Sequence, residues 1–521
     1  MSFKSRRALA VCILAGWASM HGVAALAADG ASDLEKAQKL LQDVRDLMGG
    51  DDDAKPSGDN KAKPADKAKP AEANAKAAAD SVIRPSGEPV KATVSASGQA
   101  SPGKKINSGV SGQAQYGFNI HPFIYSWVGP MFQQTGAKVI RINSFYGLYA
   151  KTGVYPGKNN ANAITQATVD SAVAAGMDVV LLLSGFPYDV NDPTMKQWPG
   201  YVEAIAAANP KNVIFELGNE PDTRKVSAQQ YFDLMKATYP ALKKGNPSAQ
   251  MAAPVINASF TGEKKKFISQ LVAMPGVFDL FDWGDFHPYY HTPEKSYSAD
   301  VNAFIESVDT PATKAGKSLE FVASEVGWSN ATGLLPAKGL DQSFVLTADG
   351  VADYYSRYIP ITRATRKLRK VIFYSLMDEG PPDPNMTNVQ AHFGIFTNGG
   401  KTAKPASSVA KDLFAHVHAA TGADLFTRSG TSGQEDTTAD WFVRLDTPQN
   451  PELIAWTAVT AGRTAQIAVD AKQAGTLSVK AAGVAATEVA LKQGQQFISV
   501  PLSGRSVILS SSVPIAFPEF K

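Results

Sequence analysis

Two glutamates in this chain stand where a run of strand formers breaks into a turn. The first ends Val213-Ile214-Phe215-Glu216-Leu217-Gly218-Asn219-Glu220, and Pro221 directly after it stops a β-ladder. The second is Glu325, in Phe321-Val322-Ala323-Ser324-Glu325-Val326-Gly327-Trp328. A carboxyl group fixed at a strand end and half out of water can have its pKa raised enough to act as a general acid. A second carboxylate in the same setting can act as a base or a nucleophile. Asn-Glu-Pro alone arises readily by chance in a chain of this length. Its weight comes from the recurrence at Glu325.

Such positions need a frame that brings distant strand ends together. From Gln115 the sequence alternates strand and helix signals, with strands expected over 116–120, 138–143, 178–184, 212–217, 250–255, 282–287, 320–324 and 370–376. Helical spacing of apolar residues lies between them, at 163–175, 199–208, 228–244 and 351–365. Eight β-then-α units over roughly three hundred residues predict the α/β class and a (β/α)8 TIM barrel. An open doubly wound sheet is the alternative, but no Gly-rich phosphate fingerprint follows the first strand. Lys314-Ala315-Gly316-Lys317-Ser318 hints at a P-loop, yet Pro311 stands where its first glycine belongs. After about 420 the helical signals stop. Short runs over 441–445, 453–460, 464–469, 476–480, 496–501 and 506–510 predict a C-terminal β-sandwich.

Barrel active sites lie at the C-terminal ends of the strands. That rule collects Arg141 from the second strand, Asn219 and Glu220 from the fourth, His287 and Tyr289 from the sixth, Glu325 from the seventh, and Asp378 with Glu379 from the eighth. The ends of strands four and seven face each other across the mouth. Two carboxylates there meet the requirement of glycoside hydrolysis: one protonates the leaving oxygen while the other attacks the anomeric carbon. Arg141 and the Tyr289 hydroxyl can hold Glu325 ionised, His287 can orient either carboxyl, and Asn219 can hydrogen-bond a sugar 2-hydroxyl. Trp328, Tyr146, Tyr149, Phe186, Tyr188 and Tyr290 lie in loops after strands and could stack on sugar rings. Plainer readings stand beside these: an Arg141 paired with a buried carboxylate, a satisfied core His287, and aromatics that simply pack. His287 and His291 are four apart, but Pro288 blocks the helix that an H-E-x-x-H zinc site needs. No metal and no cofactor are expected.

On Val139-Ile140-Arg141, Asn219-Glu220-Pro221-Asp222, His287-Pro288-Tyr289 and Ser324-Glu325, the chain resembles a clan A glycoside hydrolase over about 115–406. The C-terminal β-domain agrees with family 39. Family 5 is next nearest by these motifs, and family 79 shares a Gly-Asn-Glu-Pro form. The resemblance implies a retaining (β/α)8 enzyme with Glu220 as acid/base and Glu325 as nucleophile. Arg141, Asn219, His287 and Tyr289 would then surround the reacting sugar, with Trp328 and Asp378 as further substrate contacts. The run from Phe393 to Ala406 resembles the segment that closes such barrels. Many relatives carry Trp where Gly218 stands, and many have a strand-eight Trp under the sugar, where this chain reads Phe373-Tyr374-Ser375-Leu376-Met377-Asp378. Retention predicts carboxyl groups about 5–5.5 Å apart, whereas inversion needs about 6.5–9.5 Å.

The chain has 521 residues, a net charge of +3, and 44% hydrophobic against 19% charged residues, a globular balance with room for a large core. No Lys/Arg stripe is interleaved with aromatics, so nucleic acid is not an expected partner. Lys4, Arg6 and Arg7 precede an apolar run that ends at Ala25-Leu26-Ala27, which predicts a signal peptide over 1–27; an uncleaved anchor is the alternative. The only cysteine, Cys12, lies inside that run without the small-residue box of a lipoprotein, so the mature chain uses no disulfide. Residues 28–50 hold a short amphipathic helix, spaced over 32–48 and ended by Gly49-Gly50. Residues 51–105 fall to Ala, Lys, Pro, Asp, Gly and Ser and predict a disordered linker. Asp51-Asp52-Asp53 lacks the ligand spacing of a calcium loop. The barrel is expected over 106–420 and the sandwich over 421–521.

Together these readings predict a bacterial periplasmic or secreted monomer, without stable membrane insertion once the signal is cleaved. It would cleave the O-glycosidic bonds of a polysaccharide or oligosaccharide, with an exopolysaccharide slightly favoured over a plant glycan because no cellulose-binding module is recognisable. A catalytically silent carbohydrate-binding barrel and a transglycosylase are the alternatives.

Overall fold

The chain enters its fold through two short strands, β1 (Thr93–Ser95) and β2 (Lys104–Ser108), that belong to a domain formed some three hundred residues later. The structure, a computed structural model, describes residues 89–121, 125–158, 160–257, 260–289, 292–334, 345–379 and 385–521. The expected signal peptide, the helix at 28–50 and most of the expected linker lie outside the described residues, as do Tyr290 and His291. Among the described residues no helix is long and apolar enough to cross a membrane.

Eight parallel strands then close into a barrel: β3 (Gln115–Asn119), β4 (Val139–Phe145), β5 (Asp178–Ser184), β6 (Val213–Leu217), β7 (Gln250–Ile256), β8 (Trp283–Phe286), β9 (Glu320–Val326) and β10 (Leu368–Phe373). Each lies where an apolar run predicted it, within a few residues. The ring closes because β10 pairs with both β9 and β3. Helices such as Ala161–Ala174, Ala228–Gly245 and Ala348–Arg363 cross over between successive strands. Ser227 and Gln230 form a capping box that starts the helix after β6, so the chain leaves the Asn-Glu-Pro turn in a fixed direction. At the N-terminal end of the barrel, Lys370 pairs with Asp178 and lies 5.4 Å from the Trp283 ring centre, closing that end.

The C-terminal strands are β11 (Gly422–Arg428), β12 (Asp440–Asp446), β13 (Glu452–Thr457), β14 (Arg463–Ala471), β15 (Gly475–Ala481), β16 (Thr487–Leu491), β17 (Gly494–Leu502), β18 (Val507–Ser511) and β19 (Ile515–Ala516). They form a four-stranded sheet ordered β1-β17-β14-β19 and a seven-stranded sheet ordered β16-β15-β18-β13-β12-β11-β2. Alternate residues such as Ile467, Val469, Ile498, Val500, Leu477 and Val479 share one buried core, as period two requires of a sandwich. Here the expected boundaries are corrected. Val90 is fully buried in that core, and β1 and β2 extend the two sheets, so the linker does not run to 105 and the sandwich is not confined to 421–521. The small polar residues of 93–108 carry no apolar signal of their own. Backbone pairing with β17 and β11 orders them.

Candidate active site

Inside the barrel, Val139, Val180, Ile214, Ala252, Trp283, Val322 and Ile372 form one apolar layer. Two residues further along their strands, the period-two alternation brings Arg141, Glu216, Asp285 and Ser324 to the same interior face. Asn119 joins them from β3, in register with Arg141. All five are buried, Glu216, Asp285 and Ser324 completely. A charged layer so deep persists only if its donors and acceptors are matched.

Arg141 does the matching. Its Nε and Nη2 bond Glu216, the latter at 2.7 Å to Oε1; Nη1 bonds Asn119 Oδ1 at 2.8 Å and Glu325 Oε1; Nη2 also reaches Asn219 Oδ1 at 3.0 Å. All five guanidinium N–H groups are thereby used. Burial opposes the charge, but Glu216 and Glu325 outweigh it and keep Arg141 cationic. Burial would likewise raise Glu216, and the adjacent guanidinium brings it below the usual carboxylate range instead.

Above this layer lie the two strand-end glutamates. Glu220 holds a left-handed backbone conformation (φ 49°, ψ 59°), a strained geometry for a non-glycine residue that points its side chain back over the barrel axis. Gly218, at φ 73°, prepares that turn, and a Cβ there would lie 2.6 Å from the Tyr188 hydroxyl. Tyr188 thus fills the space that the expected Trp of many relatives would need, and its hydroxyl donates to Asn219 O at 2.8 Å. Glu325 accepts from Arg141 through Oε1 and from the Tyr289 hydroxyl through Oε2 at 2.8 Å. His287 stands between the pair, its Nδ1 2.8 Å from Glu220 Oε1 and 3.8 Å from Glu325 Oε2. Glu220, His287 and Glu325 each present an atom within 4.8 Å of the others. An oxygen of Glu220 and an oxygen of Glu325 thus lie within 4.8 Å, which favours the closer spacing of a retaining pair over the separation of about 6.5–9.5 Å that leaves room for water in an inverting one.

The proton balance differs from the expectation. Burial opposes a charged His287, but Glu325, Glu216 and Glu220 outweigh it and raise the imidazole to about 10. Burial would raise Glu220 as well, yet the bond to His287 and its charge bring it below the usual range. A strand-end carboxyl with a raised pKa was expected there. The acid proton is instead shared between Glu220 and His287, and its titration belongs to the pair.

Arg141, Asn219, Glu220, His287, Tyr289 and Glu325 are thus brought together. Trp328 and Asp378 are not, and their expected contact with substrate is corrected. Trp328 is 1% exposed, with its ring edge-on to Tyr354, Tyr355 and Tyr358, so it packs the outer helix against the barrel. Asp378 is buried against Lys404 Nζ (2.6 Å) and Gly394 N (3.0 Å), which fastens the closing segment to the end of β10. Phe186 packs on Trp198 at 4.3 Å between ring centres, and Tyr146 is buried against Trp198 and Tyr201. Among the strand-end residues, Glu379 pairs with His121, which follows β3, beside the Tyr374 ring. Sequence reasoning missed the roles of Asn119, Glu216, Asp285 and His121. Glu216 and Asp285 did carry a signal, a carboxylate inside an otherwise apolar strand.

Among the described residues, Glu220, His287 and Glu325 are also the one group of three His and acidic side chains spaced to close on a metal ion. Here they are engaged with one another, with Arg141 and with Tyr289. The family model described as cellulase (glycosyl hydrolase family 5) matches residues 104–358. No curated protein matches. A family 39 glycoside hydrolase from Bacteroides cellulosilyticus is 17% identical with a TM-score of 0.57, covering 76% of this chain and 81% of that one. A family 30 endoxylanase from Clostridium papyrosolvens is 13% identical with a TM-score of 0.54, over 80% of this chain and 100% of that one. A glucosidase from Croceicoccus marinus is 12% identical with a TM-score of 0.52, over 81% and 98%. At these identities the three structures share the fold.

Proposed function

The chain carries a clan A glycoside hydrolase barrel, and from that premise we propose that it is an exported, retaining β-glycosidase acting on a polysaccharide. The observation that carries this reading is the approach of Glu220 and Glu325 to within 4.8 Å, with unlike partners on the two groups. Glu325, held by Arg141 and Tyr289, is the nucleophile: its oxygen bonds the anomeric carbon as the bond to the leaving oxygen breaks. Glu220 gives that oxygen its proton, drawn from the pair it forms with His287. Water then attacks the glycosyl-enzyme, Glu220 takes the proton, and Glu325 is released. The Asn219 amide, its oxygen held by Arg141, is placed to donate to the sugar 2-hydroxyl. Two carboxylates so partnered support hydrolysis over a silent carbohydrate-binding barrel.

An exopolysaccharide is the proposed substrate class. The export signal expected at 1–27 and the Lys-rich stretch after it support an enzyme kept near the envelope. The test compares residues 89–521 with the Glu325→Gln variant for new reducing ends, on the source cell's own exopolysaccharide and on plant β-glycans. Hydrolysis by the wild type should fall by about 10⁴-fold or more in the variant. The first sugar released should keep its anomeric configuration by NMR. An inverted product, or activity undiminished in the variant, would refute the assignment.

A further inference from the structure

His287 has two ring nitrogens, and only one of them faces Glu220. The other, Nε2, lies 3.0 Å from Ser324 Oγ, whose hydroxyl is 2.6 Å from Asp285 Oδ1. We infer that Asp285, acting through Ser324, is a positioning residue for the acid/base: it anchors a permanent proton on His287 Nε2, so that the exchangeable proton of the ring passes at Nδ1 to Glu220. The inference rests on the proposed role of Glu220.

A hydroxyl owns a single proton. At 2.6 Å Asp285 Oδ1 takes that proton from Ser324, which leaves Ser324 an acceptor toward Nε2. Reversing the bond would turn the Ser324 proton to Nε2 and strand Asp285, which is completely buried and whose Oδ2 already has no hydrogen-bond partner. Glu216 Oε1, 3.7 Å from Nε2, favours an N–H there too. With Nε2–H held, the 2.8 Å contact between Nδ1 and Glu220 Oε1 contains one proton and two sites for it. In the first step that one proton passes from Nδ1 through Glu220 to the glycosidic oxygen, which leaves Glu220 a carboxylate and the ring neutral with Nε2–H intact. In the second step the Glu220 carboxylate takes a proton from the attacking water, and the pair again shares one proton across the same contact.

Besides His287, the Lys264 cation also acts on Glu220. His287 is faced by Glu216 and Glu220 from β6 and the turn after it, by Glu325 and Ser324 from β9, and by Asp285 from its own strand. Asp285 is faced by Glu216, by His287 and by the Arg141 cation. Burial and then Glu216 push the Asp285 pKa above its ordinary range, against the opposing pull of His287 and Arg141. Its part in the relay is that of an acceptor oxygen held in place.

The experiment uses residues 89–521 with Ser324→Ala, Asp285→Ala and Asp285→Asn, on aryl glycosides whose leaving groups range from poor to activated. Losing the relay should move the alkaline limb of kcat/KM down by about one pH unit, tenfold in proton occupancy. It should slow poor leaving groups by about 10²-fold while sparing activated ones, because only poor leaving groups need the acid. Asp285→Asn, which keeps an acceptor oxygen, should recover most of what Asp285→Ala loses. Equal slowing of all leaving groups, with no shift of the pH limb, would overturn the inference. The wild type also decides the matter without substrate, through ¹H–¹⁵N spectra of its histidine rings followed upward in pH. The ring that loses its proton at Nδ1 while keeping Nε2–H should be His287, absent from the His287→Gln spectrum. Loss of the proton at Nε2 would overturn the relay. A wild type that cleaves no glycoside, with the Nδ1 pattern present, would instead remove the glycosidase reading.

Discussion

Arg141 balances two carboxylates that would otherwise lie charged and unpaired in a barrel interior, Glu216 beneath it and Glu325 at the mouth. Replacing it by Met keeps the bulk but strips the charge. Arg141→Met should therefore destabilise the protein by about 3–5 kcal/mol, the range for breaking a buried pair by removing one partner. Chemical denaturation would measure this, and a loss below about 1 kcal/mol would mean that water reaches the layer. A second expectation concerns pH. The carboxylates around His287 raise it from its ordinary 6.5 to about 10 against the effect of burial. Stability from that charge is fully present below about 6.5 and is lost as pH climbs toward 10. His416, raised to about 9 by Asp412 and Glu452 against burial, contributes over part of the same window. Thermal midpoints should thus fall between pH 6.5 and 10, and His287→Gln should flatten the upper part of that fall. A wild-type curve level across the window would contradict the charged imidazole.

At the scale of the element, the strand-to-loop junctions decide what a side chain does. After β6, Gly218 and Glu220 both take positive φ, which turns the Glu220 carboxyl inward and lets Tyr188 lie against the glycine. After β9, the chain carries Trp328 away from the mouth and under the helix Ala348–Arg363, where Tyr354, Tyr355 and Tyr358 enclose it. Trp328→Ala should then cost about 3–5 kcal/mol, as for other buried large aromatics. Trp328→Phe, which keeps most of the apolar bulk, should fold with KM for the glycan nearly unchanged. A large rise in KM for the Phe variant, at normal stability, would return Trp328 to the substrate. Asp378 and Lys404 do comparable structural work after β10, pinning the segment that continues toward the helix Pro405–Ala419.

For the whole molecule, the barrel and the sandwich share buried polar contacts. Trp456 is fully buried, stacks on Trp441 at 6.2 Å, and donates through Nε1 to Glu294 Oε1 at 2.7 Å; Arg357 bonds the same carboxylate at 3.0 Å. Cutting the chain at 420 would leave Glu294 and Arg357 without Trp456 and bare the surface around them. Residues 106–420 should accordingly aggregate on expression, whereas 89–521 should yield soluble protein. The N-terminal limit matters for a parallel reason. A chain starting at 106 loses β1, the first residues of β2 and Val90, a fully buried valine worth about 1.5–3 kcal/mol. It should melt below 89–521 by several degrees in calorimetry, and equal melting would show that the edge strands add nothing.

Much of this was legible from residue order alone. The barrel follows from eight apolar runs separated by helical spacing, because strands buried on both faces must be apolar along their length. Glu220 and Glu325 stood out because each ends such a run, and Arg141, Asn219, His287 and Tyr289 followed from the rule of strand ends. What stayed hidden depends on through-space pairing. Asn119 and Asp285 acquire their roles only when the closing ring turns β3, β4, β6, β8 and β9 toward one interior, and nothing local says which neighbour a buried polar group will meet. Whether Trp328 and Asp378 face the sugar or the scaffold depends on how the chain turns beyond its strand, a choice made by packing partners sixteen or more residues away. The proton on the Glu220–His287 pair is likewise a tertiary property. A pKa answers to every charge within several ångströms, and those charges come from strands far apart in the chain.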